Sequence, residues 1–228
     1  MAPWASTWSF EMGSMLKRSL SLLSIAALVI GAGVSCNLDP VHRADVNALG
    51  DEEEGLYPPE SEFHRPGQPC AVCHSSKGPA DSTFVLAGTV YWGPDNPDRR
   101  VDKAYVRVLD ANKVKRCFVT NCNGNFFVRP DDFPKLTFPL LISVERTKDP
   151  GKDETTMVFR QMNGHIGREP SCANCHQQID GVSVRDFASP GQIRLMETEE
   201  QVRTQNVPVT NPCDESAPRV AACPEERL

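Results

Sequence analysis

The sequence predicts a mainly β protein: an antiparallel β-sandwich flanked by two short helical or loop segments, each carrying a Cys-x-x-Cys-His. Between residues 84 and 161, six short runs rich in β-branched and aromatic residues alternate with turn signals. "CAVCH" occupies 70–74 and "CANCH" occupies 172–176, one on each side of those runs. An apolar stretch near the N-terminus adds a third observation, an export signal.

Residues 1–35 form the expected signal segment. "MLKRSLSLLSIAALVIGAGVSC" runs from Met15 to Cys36, with a basic start at Lys17 and Arg18, an apolar run and then small residues. The run is short for a spanning helix, which needs about 20 apolar residues. The first fourteen residues do not belong to this pattern, so Met15 (or Met12) is the expected start. "GVSC" at 33–36 resembles a bacterial lipobox, although Gly33 stands where an aliphatic is usual. That resemblance implies lipidation of Cys36 and a membrane anchor, and Asn37 then points to the outer membrane of a bacterial envelope. The alternative is an ordinary signal peptide cleaved nearby, which leaves Cys36 free and the chain soluble and secreted.

Residues 36–62 are polar and acidic with no sustained apolar period, so an acidic tether is expected. The first cysteine motif lies within 63–83. Six strands are then expected within 84–161: "FVLAGTVYW" (84–92), "AYVRVLD" (104–110), "VKRCFVT" (114–120), "NFFVR" (125–129), "PLLISVER" (139–146) and "ETTMVFRQ" (154–161). The second motif lies within 162–187. Residues 188–228 read as a proline-rich, disulfide-tied extended tail.

The motifs point to c-type haem attachment. With nine Cys and five His in 228 residues, a CxxCH arises in roughly one shuffled chain in a hundred, and two far more rarely. Two cysteines three residues apart share one face of a helical turn, so both sulfurs can form thioethers along one haem edge. The next residue then passes under the ring as the proximal iron ligand. Cys70, Cys73 and His74 are thus assigned to one haem, and Cys172, Cys175 and His176 to a second. A Cys₄ zinc site is the first competitor, but its pairs usually lie about 15–20 residues apart. Here 98 residues separate Cys73 from Cys172, and zinc gives no reason for the two histidines. A thioredoxin-like redox pair is the second, and neither motif follows the buried parallel strand that it needs.

Distal iron ligands are expected from His64 and His165, which precede their motifs by six and seven residues in "HRPGQPCAVCH" and "HIGREPSCANCH". Six residues extend only about 20 Å, and Pro66 and Pro69 stiffen that path. This favours a crossed arrangement, His64 on the second haem and His165 on the first. Met157 and Met162 are reserve ligands, and His42 lies in the acidic arm. With Cys36 lipidated and four thioethers formed, Cys117, Cys122, Cys213 and Cys223 remain for two disulfides in an oxidising compartment. Three connectivities are open, and the local one (117–122 and 213–223) is the simplest.

The stretches "AGTVY" (87–91), "AYVRVLD" (104–110), "TNCNGNFFV" (120–128) and "FPLLISVER" (138–146) resemble the carboxypeptidase regulatory-like, transthyretin-like sandwich. The resemblance covers about 75 residues, and Cys122 departs from the small polar residue usual there. It implies a scaffold or interaction role rather than catalysis. Gly124 is expected at positive φ in the turn before "NFFV". Across the whole chain, the order of lipobox, CxxCH, sandwich and CxxCH looks like exported multihaem cytochrome lipoproteins of bacteria.

Removal of residues 1–35 takes Lys+Arg from 24 to 22 and Asp+Glu from 30 to 29, a net charge of −7. Nucleic acid is an unfavourable partner for such a surface, whereas a basic redox protein of the envelope suits it. The expected function is electron transfer by two iron-bearing haems held at the two ends of the sandwich, and no catalytic residue is assigned. The alternatives are a surface-binding or structural lipoprotein and a peroxidase-like haem enzyme with one open iron.

Overall fold

The computed structural model describes residues 39–51, 61–94, 99–147, 157–176, 189–204, 207 and 220–223. The signal segment, Cys36 and Cys213 lie outside the described residues. The chain divides into two compact units, Met1–Asp45 and Val46–Leu228. Helix α1 (Pro40–Ala48) runs across that boundary. It falls in the stretch expected to be an unstructured tether. The Asp39 carboxylate accepts from the Val41 and His42 amides at 3.2 Å each, and Pro40 opens the helix with a preset φ, so end signals suffice without an apolar face.

The larger unit is mainly β. The strands are β1 (Leu86–Tyr91), β2 (Tyr105–Leu109), β3 (Lys115–Val119), β4 (Asn125–Val128), β5 (Leu141–Thr147), β6 (Met157–Gln161), β7 (Ile193–Arg194) and β8 (Val220–Ala221). They form a three-stranded sheet in the order β4-β1-β7 and a five-stranded sheet in the order β6-β5-β2-β3-β8. All pairings are antiparallel except β1 with β7, where Val90 faces Ile193 and Tyr91 faces Arg194 in parallel. The smaller sheet is therefore mixed, not purely antiparallel as expected.

Period-two burial is clearest in β2, where Val106 and Val108 are buried while Tyr105, Arg107 and Leu109 are half-buried. Both sheets contribute to one core that includes Leu86, Val90, Val106, Val108, Phe118, Phe126, Phe133, Leu140 and Val144. Each fully buried Phe or Leu contributes about 1.5–3 kcal/mol of transfer free energy. Strand β1 is buried along its whole length, because the segment around Gly67 and the segment around Cys172 cover it in addition to the sheets. Gly124 takes φ +73° in the β3–β4 turn, as that turn demands.

The tail is not an appendage. Strand β7, helix α2 (Glu199–Thr204) and strand β8 belong to it, and Leu195, Met196, Val202 and Val207 join the core. The local disulfide pairing is also overturned: Cys117 bonds Cys223, with Cα atoms 5.1 Å apart across 106 residues of sequence. The reason is strand pairing, because β8 lies on β3 with Ala221 opposite Cys117. Cys122 is likewise in a disulfide, so neither cysteine of the expected 117–122 pair bonds the other.

Candidate haem-attachment site

The two cysteine motifs fold into the same turn. Cys70–Val72 and Cys172–Asn174 are single 3₁₀ turns. In each, the second cysteine's amide donates to the first cysteine's carbonyl at 3.1 Å, and the histidine amide donates to that same carbonyl at 2.8 Å. Small residues allow the turns to sit deep in the fold, since Ala71 and Ala173 are both buried. The four motif cysteines form no disulfide.

Each motif histidine is oriented through Nδ1. His74 Nδ1 lies 2.9 Å from the Ser82 carbonyl and 3.1 Å from its hydroxyl, and His176 Nδ1 lies 2.8 Å from the Gly191 carbonyl. A carbonyl accepting from Nδ1–H fixes the tautomer and leaves the Nε2 lone pair for a metal. Burial pushes the His74 pKa down; the Ser82 contact opposes this, and nearby His64 and Arg129 add to it. The ring is therefore held in the neutral form that ligates iron.

The first thiol of each motif is tuned the other way from a redox cysteine. Burial raises Cys70 to about 11 and Cys172 to about 12, with Cys70 itself adding to the shift at Cys172. A thioredoxin-type pair needs a lowered thiol pKa. Nor do the cysteines form a zinc cage: among the described residues no group of three or more His, Cys, Asp or Glu is placed to hold a metal ion. A Cys₄ site would bring four such groups together. Haem requires less of the protein, because the porphyrin supplies four nitrogen donors and each turn supplies two thiols and one imidazole. The donor set fits a c-type haem.

The motifs lie side by side, not at the two ends of the sandwich. The Ala71 amide donates to the Ser171 hydroxyl at 2.7 Å, and Ser171 is buried. Ser171 also bridges Ala87 of β1, whose amide donates to the Pro170 carbonyl at 2.8 Å. Gly88 makes this docking possible: a Cβ there would stand 2.9 Å from Cys172 Cβ and 3.0 Å from its Sγ. Strand β1 thus gathers two motifs that are far apart in sequence.

Next to the first motif is a cavity of about 600 Å³, within the usual range for ligand and cofactor sites. Its walls include Cys70, Cys73, His74, Phe84, Phe127 and His64. The His64 and His74 rings are 5.8 Å apart between centroids and 22° from parallel. His64 Nδ1 meets the Ser61 carbonyl, so this ring too presents Nε2. His64 therefore lies beside its own motif, not beside the second as the crossed arrangement expects. Positive φ at Arg65 (47°) and Gly67 (79°) turns the six-residue path back on itself, which an extended-chain reading with stiff prolines does not anticipate.

A smaller cavity of about 260 Å³ touches the second motif through Cys172, Ala173 and His176, with Tyr91, Arg100 and Gln192 among its walls. His165 is exposed after β6 and lines neither cavity. Met162 is half-buried and lines neither. The sequence reading missed Ser82 and the carbonyl of Gly191. Backbone and hydroxyl acceptors fifteen or fewer residues downstream of a motif leave no compositional trace. Comparison with protein-family models, with curated proteins and with solved structures finds no match.

Proposed function

We propose that this chain is an exported, lipid-anchored di-haem c-type cytochrome that carries electrons between redox partners of the bacterial envelope. The observation that carries the reading is the repetition of one geometry: two CxxCH turns with the same hydrogen bonds, each with its imidazole Nδ1 held by a carbonyl. Bound haem supplies a one-electron iron couple, and the protein contributes ligands, burial and access. Cys70 and Cys73, with His74, would hold the first group, and Cys172 and Cys175, with His176, the second. His64 supports the electron-carrier reading, because it lines the same cavity as His74 and would offer a second imidazole to a haem held there. The wild-type intact mass tests the reading directly, with two haems per chain expected. A haem-free or zinc-loaded chain would end it.

One observation favours a second reading for the other haem. His165 is exposed, and the cavity at His176 is polar, with Tyr91, Arg100 and Gln192 in its wall. An open second iron would make the protein a ligand-binding or peroxidase-like centre in addition to a carrier. Electronic absorption of the oxidised protein separates the two readings. Two low-spin haems favour the carrier alone, and one low-spin with one high-spin haem favours the second reading.

Among the described residues no helix is long and apolar enough to cross a membrane. The anchor therefore rests on Cys36 and the signal segment before it. Acyl chains contribute about 0.8 kcal/mol per buried CH₂. Cys36→Ser is expected to move the protein from the membrane to the soluble fraction or to leave it unprocessed. A processed variant still bound to membrane would remove the lipobox from the proposal.

A further inference from the structure

The β3–β4 turn "TNCNGN" holds the chain on which His64 sits. Asn121 Nδ2 donates to the Glu62 carbonyl at 2.7 Å, Asn123 Nδ2 to the Phe63 carbonyl at 2.6 Å, and Asn125 Nδ2 to the His64 carbonyl at 3.1 Å. Three alternate asparagines thus grip three consecutive carbonyls. The three residues are nearly inaccessible, at 3%, 2% and 8% exposure. The turn also braces itself, because the Asn123 and Asn125 amides both donate to Asn121 Oδ1 at 3.0 Å. Thr89 of β1 ties in the far side of the loop: its hydroxyl donates to Asn125 Oδ1 at 2.7 Å and accepts from the Gly67 amide at 2.8 Å.

A turn needs only one side-chain acceptor to close, and Asn121 Oδ1 supplies it. The donors on all three asparagines point elsewhere, to residues about 60 positions earlier. Buried amide donors aimed at one short loop are costly to arrange unless the position of that loop matters. What the loop carries is His64, whose ring centroid lies 5.8 Å from that of His74 in the lining of the same cavity. We propose that Asn121, Asn123 and Asn125, with Thr89, are positioning residues that hold His64 as the sixth ligand of the haem on Cys70, Cys73 and His74. This rests on the di-haem reading and gives the sandwich a specific part in it: one of its turns sets the coordination of an iron.

The strength of such a clamp is read by competition. An added ligand such as imidazole binds the first iron only when His64 has left, so its apparent affinity measures how firmly His64 is held. Deleting one buried hydrogen bond to the loop should raise that affinity by about five- to tenfold. The experiment uses the full holo-protein with two haems confirmed by mass, titrated with imidazole and followed by absorption and electron paramagnetic resonance. Asn123→Ala is the cleanest variant, because the Asn123 side chain donates to the Phe63 carbonyl while its amide still braces the turn. Thr89→Val is the second, keeping shape within β1 while cutting the link between Gly67 and Asn125.

Both variants should keep native circular dichroism and bind imidazole about five- to tenfold more tightly at one haem. His64→Ala should make the same haem high-spin, and imidazole should restore its low-spin spectrum. Folded variants with wild-type imidazole affinity would overturn the proposal. A His64→Ala protein with two haems and an unchanged low-spin spectrum would overturn it while leaving the di-haem reading intact. A chain without haem would overturn both.

Discussion

Replacing Cys172 and Cys175 together by alanine should halve the covalently bound iron, from two haems per chain to one. The Cys70→Ala, Cys73→Ala pair should do the same at the other turn, and the fourfold variant should bind none. Each turn offers two sulfurs and one imidazole, and no other cysteine lies in a comparable turn among the described residues. Alanine is the suitable replacement because Cys172 is buried in the core, where a serine hydroxyl without a partner would cost about 1–3 kcal/mol by itself. Intact mass and the absorbance of the reduced pyridine complex give the haem count. An unchanged count in either pair would refute the assignment of that motif.

Breaking the Cys117–Cys223 bond should produce a large loss of stability. The bond closes 106 residues, and constraint of an unfolded loop of about 100 residues is worth up to about 4.7 kcal/mol by chain entropy. Cys117→Ala with Cys223→Ala should therefore lower the unfolding free energy by about 2–5 kcal/mol. It also frees β8 from the edge of β3, where Cys117 and Phe118 pair with Ala221 and Val220. Denaturant unfolding of the haem-loaded protein without reductant measures the loss. A shift below about 1 kcal/mol would mean that the strand pairing, and not the bond, holds the tail.

The six central strands were legible because each is a short run of β-branched and aromatic residues between turn residues. "VKRCFVT" became Lys115–Val119 and "AYVRVLD" became Tyr105–Leu109. Short pairing strands were not legible: Ile193–Arg194 and Val220–Ala221 are two residues long and owe their conformation to β1 and β3. The disulfide followed β8 and was hidden with it. In the candidate site, the two Cys-x-x-Cys-His motifs could be found from spacing alone, and both fold into the same turn. The partner of His74 could not, because His64 reaches it through two positive-φ residues that a proline-rich segment does not advertise. Turn chemistry accounts for the acceptor of Asn121 in "TNCNGN" and says nothing of the side-chain donors of Asn121, Asn123 and Asn125.

The bond between Ala71 and Ser171 has a consequence for how electrons would be stored. If each turn holds a haem as proposed, their hydrogen-bond contact would bring two charged groups close together, where interaction falls off as the inverse of distance at an effective dielectric of about 20. An electron on one iron would then oppose the arrival of the next. The two irons would fill as an unequal pair, the second at a lower potential than the first, even if their own ligands were identical. Because β1 carries both turns, that spacing is set by a strand buried along its full length. The protein would behave as a two-electron reservoir with a built-in order of discharge.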